Sequence, residues 1–116
     1  MAQVEIWHNP RCSKSRATLE LLQARLGDDD LRIVRYLETP PTRAQLVQVL
    51  SELGLTPGAF VRRGEALFAE LGLDQADDDA LLDAMVAHPL LIERPVVLTG
   101  SAARIGRPPE RVLEIL

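Results

Sequence analysis

An alternating apolar run at Val4-Glu5-Ile6-Trp7 is followed by a polar turn, a helical pattern and a second apolar run from Leu31 to Leu37. The helical pattern extends from about Ser15 to Leu26, with Leu19, Leu22 and Leu26 on one face and Gly27 ending it. Strand, helix and strand in that order form a βαβ unit, which makes the two strands parallel and the connection right-handed. This fixes an α/β class before any other residue is considered.

The remaining chain builds on that unit. Thr39-Pro40-Pro41 breaks regular structure, and Thr42 with Gln45 three residues on has the pattern of a helix capping box. The helix it opens carries Leu46, Val49, Leu50 and Leu53 and stops at Gly54. Short helical pieces interrupted by Gly58 and Gly64 occupy 57–71, and an amphipathic helix with Leu81, Leu82, Met85 and Val86 covers 78–87. Val96 to Thr99 and Ala102 to Ile105 read as strands of a hairpin turning at Gly100-Ser101. Pro108-Pro109 opens a final helix to Leu116. The expectation is a four-stranded mixed sheet with a helical insertion in its middle, in the layout of a thioredoxin-like fold. No repeat, linker or low-complexity segment divides the 116 residues, so one domain spanning 1–116 is expected.

A hydrophobic content of 47% with 26% charged residues is ordinary for a soluble globular protein. No apolar run is long enough to span a bilayer and no leader pattern stands at Met1, so neither membrane nor export is expected and the cytoplasm is the default location. A net charge of −4 and 3% aromatic residues argue against nucleic-acid binding. The triplets Asp28-Asp29-Asp30 and Asp77-Asp78-Asp79 read as solvated segments rather than metal sites, the second also capping the helix that follows. No bound cofactor or metal is expected.

Cys12 is the only cysteine, which excludes an internal disulfide and agrees with a reducing compartment. It lies in His8-Asn9-Pro10-Arg11-Cys12-Ser13-Lys14-Ser15-Arg16, between a strand and a helix start. A helix start leaves backbone N–H groups unpaired, with the positive end of the dipole behind them. Such a place lowers a thiol pKa and attracts anions. A lone cysteine is commonly a small buried hydrophobe, but the neighbours here are Arg, Ser and Lys. The segment therefore reads as a thiolate nucleophile beside an oxyanion pocket, with N–H groups from about Ser13 to Arg16 as the cradle and Arg11, Lys14 and Arg16 adding charge. Ser15 has two readings, a helix cap or a hydroxyl that bonds the loop or the thiolate. His8 also has two: a cation favouring the thiolate, or a neutral ring orienting the loop. His88, before Pro89, reads as a helix end.

The His-Asn-Pro-x-Cys-x-x-Ser-Arg turn resembles the active-site loop of the glutaredoxin-dependent, ArsC-type arsenate reductases. Tyr36-Leu37-Glu38-Thr39-Pro40-Pro41-Thr42, Glu70-Leu71-Gly72-Leu73, His88-Pro89, Glu93-Arg94-Pro95 and Gly106-Arg107-Pro108 recur in the expected order, so the resemblance spans essentially the whole chain. It is greatest to a compact subgroup without a C-terminal extension. The resemblance implies Cys12 as nucleophile with His8 in an electrostatic role, and Arg62, Arg94, Arg107 and Ser15 as substrate-binding residues. It implies a cis Arg94–Pro95 bond, although X–Pro bonds are otherwise mostly trans. Arg63 beside Arg62 leaves open which of the two faces the site. Arg104 and Arg111 are expected to be ordinary surface residues.

The implied reaction is reduction of arsenate. Cys12 thiolate attacks the oxyanion, glutathione acts as co-substrate, and glutaredoxin is the partner that takes over the mixed disulfide. With no second cysteine, the reducing thiol must be external. Two rivals remain at this stage. One is a redox-linked transcription regulator resembling the Spx proteins, whose Cys-x-x-Cys switch has Ser15 at its second position here. The other is an oxyanion-binding protein without turnover.

Overall fold

The computed structural model describes residues 3–116. They fall into two compact units: residues 3–39 with Arg94–Leu116, and Pro40–Glu93.

In the first unit β1 (Val4–Trp7), α1 (Ser13–Arg25) and β2 (Leu31–Val34) form the expected βαβ unit, and β3 (Val96–Leu98) and β4 (Ala103–Ile105) form the hairpin. The sheet order is β2-β1-β3-β4. β1 pairs parallel to β2 with Ile6 opposite Ile33, and antiparallel to β3 with Ile6 opposite Val97. Mixed pairing follows from chain length: the β1–β2 connection holds a helix, whereas β3 and β4 are joined by a tight turn. Leu98 faces Ala103 there, Thr99 N–H donates to Ala102 O at 3.0 Å, and Gly100 takes a φ of +95° that favours glycine.

Alternation along β1 sends Val4 and Ile6 to one face, where Val97 of β3, Leu22 of α1 and Val112 near the C-terminus complete a buried cluster. Leu19, Leu21, Leu26, Leu31 and Ile115 pack around it. Each such side chain contributes about 1.5–3 kcal/mol relative to its exposed state. The cluster holds α1 against the sheet and so fixes where α1 begins.

Three local expectations are corrected. β2 ends at Val34, not Leu37, because the N–H groups of Glu38 and Thr39 both turn back to the Arg35 carbonyl at 2.9 Å. Tyr36 is buried from this turn rather than from a strand. The final segment, Pro109–Ile115, is 3-10 helix and not α-helix. Pro108 and Pro109 supply no amide donors, and the bonds that form, such as Arg111 N–H to Pro108 O at 3.1 Å, span three residues.

The second unit contains α2 (Arg43–Leu53), α3 (Pro57–Phe60), α4 (Ala66–Glu70) and α5 (Asp78–Ala87). Gly58 lies inside α3 instead of interrupting it, while Gly64 stands outside both short helices. The capping box forms as its sequence suggests: Thr42 Oγ1 accepts from Gln45 N–H at 3.1 Å, and Gln45 Oε1 from Thr42 N–H at 2.9 Å. Asp77 caps α5 through Ala80 N–H at 2.9 Å. Arg43 ties α2 to α5 through Asp79 at 2.7 Å and Asp83 at 2.9 Å. These pairs are exposed and add little beside the burial of Leu46, Val49, Leu50, Leu81, Leu82 and Met85.

Among the described residues no helix is long and apolar enough to cross a membrane, and no group of three or more His, Cys, Asp or Glu is placed to hold a metal ion.

Candidate active site

The loop that leaves β1 is braced by its own side chains. His8 N–H extends the parallel ladder by one bond, to Val34 O at 2.8 Å, and the chain then departs from the sheet. Asn9, nearly buried, accepts Arg11 N–H on Oδ1 and Cys12 N–H on its carbonyl, both at 3.0 Å. Arg16 Nη1 donates to Pro10 O at 2.9 Å, tying the first turn of α1 back to the loop.

Cys12 is the N-cap residue of α1, with extended backbone angles and a partly exposed side chain. Its carbonyl accepts Arg16 N–H at 3.0 Å, the first bond of the helix. The anion cradle is therefore narrower than the sequence suggested: Arg16 N–H is committed, and Ser13, Lys14 and Ser15 supply the outward N–H groups.

Ser15 is not the cap. It is the third residue of the helix, fully buried, and its Oγ accepts Asn9 N–H at 3.0 Å while lying 2.7 Å from His8 Nδ1. Of the two hydroxyl roles considered, bonding the loop is the one found. The hydroxyl and the ring nitrogen thus share one hydrogen bond, whose direction is set by the His8 tautomer. Burial, then Arg35, then Arg16 hold the His8 pKa below its ordinary value. The neutral, loop-orienting reading of His8 is thus favoured over the cationic one.

Burial pushes the Cys12 thiol up, but four influences outweigh it: the Ser15 N–H, the Arg94 charge, the Lys14 N–H and the Arg107 charge. The net result is a pKa below the ordinary thiol value. The cations responsible are the two distant in sequence, not Arg11, Lys14 and Arg16. Arg107 Nη2 lies 3.7 Å from Cys12 Sγ, and Arg107 Nε donates to Arg94 O at 2.8 Å, so one guanidinium touches the sulfur and anchors the second arginine's backbone. In alkylation-rate measurements against pH, the folded protein should show its inflection below that of the urea-unfolded protein. Coincident inflections would mean that the fold does not activate the thiol.

Gly106 makes this approach possible, a role sequence reading missed because it saw only a Gly-Arg-Pro segment. A Cβ there would collide with Thr18 Oγ1 and stand 2.8 Å from Pro95 Cγ. Thr18 is fully buried and donates to Lys14 O at 2.8 Å, inside the turn of α1 that carries the cradle. Gly106 N–H bonds Pro95 O at 3.0 Å, and Arg107 follows at once. Gly106→Ala should therefore cost about 1–3 kcal/mol by overpacking, read as a lower urea midpoint at unchanged slope. An unaltered midpoint would show that the contact relaxes freely. Arg94–Pro95 is cis, as the resemblance implied, and Arg107–Pro108 is cis as well.

Cys12, His8, Ser15, Arg94 and Arg107 all belong to the first unit. Arg62 belongs to the second, where its guanidinium pairs with Glu65 at 3.0 Å and donates to Leu90 O at 3.2 Å. Arg63 donates to Gly58 O at 3.1 Å and stacks over the Phe68 ring at 5.3 Å. Arg104 pairs with Glu114 at 2.8 Å and Arg111 is exposed, in keeping with surface roles.

The sequence profile of the ArsC family matches residues 7–115. The chain belongs to the ArsC family. It is 45% identical over 118 residues to the arsenate reductase of Escherichia coli K12, covering all of this chain and 82% of that protein. It is 48% identical to the uncharacterized protein YfgD of the same organism, over 98% of this chain and 97% of the other. The solved structure of an arsenate reductase from Vibrio cholerae superposes with a TM-score of 0.91 at 48% identity, covering both chains fully. The mixed sheet is thus the thioredoxin-like fold of this family.

Proposed function

We propose that this ArsC-family chain reduces arsenate to arsenite, using Cys12 as nucleophile and thiols as the source of electrons. The observation that carries the reading is the Arg107 guanidinium 3.7 Å from the Cys12 sulfur at the start of α1. A lowered thiol pKa supplies the thiolate that attack on arsenic needs. Relatives named arsenate reductase along the full chain supply the substrate.

The residues divide the work. The Ser13, Lys14 and Ser15 N–H groups, with Arg94 and Arg107, neutralise the tetrahedral oxyanion and the charge that builds as sulfur bonds to arsenic. Ser15 and neutral His8 hold the loop in shape. Arg62 keeps its proposed oxyanion role on its register between Gly54 and Gly72 alone. One arsenate oxygen leaves as water once protonated, and glutathione thiolate provides the second sulfur. Arsenic gains two electrons and departs as arsenite, while Cys12 and glutathione lose two and remain joined as a mixed disulfide. Glutaredoxin then takes the glutathionyl group. Such traffic needs a reducing compartment, so the cytoplasm is the proposed location.

Turnover measured with arsenate, glutathione and glutaredoxin tests the proposal directly. Arsenite produced in proportion to NADPH consumed through glutathione reductase is the expected result. Arsenate binding without turnover would replace the proposal with the non-catalytic rival. The Spx-like rival is opposed by Ser15, whose hydroxyl is bound into the loop where that switch needs a second thiol.

A further inference from the structure

Four basic side chains stand around the cysteine turn, and of them only Arg16 is bonded into it, through Pro10 O. Arg11 precedes Cys12, Lys14 and Arg16 lie on the first turn of α1, and Arg35 lies in the turn after β2; all four are exposed. The side-chain charges acting on the thiol are those of Arg94 and Arg107. Arg35 and Arg16 both bear on His8, which places the turn after β2 beside the loop. The first turn of α1 contains no acidic residue. The carboxylates closest to them in the chain, Glu20 one turn beyond Arg16 and Glu38 in the turn with Arg35, are exposed and are not ion-paired with them. A chain of net charge −4 thus gathers a cluster of cations, none in an ion pair among the described residues, at the rim of its nucleophile.

Like charges gathered about one loop repel each other and add no ion pair to the fold. They accelerate encounter with a surface of opposite sign and suppress wrong partners. We infer that Arg11, Lys14, Arg16 and Arg35 form a cationic docking collar for the acidic face of the thiol protein that regenerates Cys12. This rests on the arsenate-reductase reading, because only a turnover that leaves Cys12 in a mixed disulfide requires such a donor. In the step served, a donor thiolate attacks the glutathionyl sulfur, the bond to Cys12 breaks, and Cys12 leaves as thiolate. The donor keeps the glutathionyl group as its own mixed disulfide, so electrons balance. A protein face suits the layout better than a small thiol does. The cations come from three segments and stand outward on a rim, whereas the two carboxylates of glutathione need convergent donors in a concave site.

The test keeps arsenate saturating and varies the donor among glutaredoxin with glutathione, glutathione alone, and uncharged 2-mercaptoethanol. For wild type, kcat/KM for glutaredoxin should fall roughly tenfold as NaCl rises from about 20 to about 500 mM. The variant Arg11→Glu should lose about tenfold with glutaredoxin at low salt. Its rate with 2-mercaptoethanol and its alkylation profile should stay within about twofold of wild type, because Arg11 is not among the charges acting on the thiol. A compensating Glu→Lys change on the glutaredoxin's acidic face should restore part of the loss. Arg11→Gln, a milder change, should give an intermediate rate. Insensitivity of the glutaredoxin step to both salt and charge reversal would overturn the inference. An equal loss with glutathione alone would overturn it too, assigning the collar to the small thiol. Absence of turnover with every donor would instead remove the reductase reading itself.

Discussion

Cys12→Ser should abolish arsenate turnover while leaving the fold and the oxyanion site in place. Cys12 is the N-cap of α1 and makes no side-chain capping bond, so helix geometry does not depend on its sulfur. Serine is a preferred N-cap residue, and the change removes little packing from a partly exposed position. The outward N–H groups, Arg94 and Arg107 remain. What disappears is the nucleophile: a serine hydroxyl stays protonated near neutral pH, and no residue of this site is placed to deprotonate it. Ser15 Oγ is bound to His8 and to Asn9 N–H, so the neighbouring hydroxyl cannot substitute. Thermal melting and circular dichroism should match wild type, arsenate should still protect against heat, and turnover should fall to the uncatalysed rate. Measurable turnover near the wild-type rate would mean that Cys12 is not the nucleophile, and the proposed mechanism would fail.

The fold was largely legible because its signals are local. Alternation at Val4–Trp7, the leucine spacing of α1 and the Gly100-Ser101 turn each depend on neighbours along the chain, and the parallel or antiparallel sense of the βαβ and hairpin pairings follows from connection lengths. Where reading went astray, a nonlocal or donor-counting effect decided. The strand assignment past Val34 failed because the Glu38 and Thr39 N–H groups bond back to Arg35, which apolar content at Tyr36 and Leu37 conceals. The last helix tightened to 3-10 because two prolines supply no amides. In the site, the loop motif announced Cys12, but charge was assigned to Arg11, Lys14 and Arg16 on proximity in sequence. Side-chain direction rules otherwise: those residues are exposed, while Arg107 after β4 reaches the sulfur and Arg94 before β3 acts on it through its charge. Gly106 carried no visible signal, since its importance lies in a contact with Thr18, 88 positions earlier in the chain.

Arg107→Ala should do more damage than loss of one contact implies, because its guanidinium has two partners. Nη2 faces the Cys12 sulfur at 3.7 Å, and Nε holds the Arg94 carbonyl at 2.8 Å. Removing it withdraws one of the charges that lower the thiol pKa and releases the backbone that carries Arg94. A charge-assisted hydrogen bond is worth about 1.5–3 kcal/mol, which corresponds to roughly a ten- to hundredfold fall in kcat/KM. The sign of the pH effect follows from the thiolate. With less positive charge nearby, Cys12 titrates higher, so both alkylation and turnover should shift their rising limbs to higher pH, and part of the lost rate should return in alkaline buffer. Arg94→Ala should also lose rate and should shift the pH profile at least as far, since its charge acts on the thiol more strongly than that of Arg107. Arg107→Lys separates charge from geometry: a single ammonium can keep the thiol pKa low, yet cannot serve the Arg94 carbonyl and the sulfur at once. It should therefore restore the alkylation profile while leaving kcat/KM depressed. Equal recovery of both would reduce Arg107 to a point charge, and an Arg107→Ala enzyme with wild-type rate and profile would remove it from the site altogether.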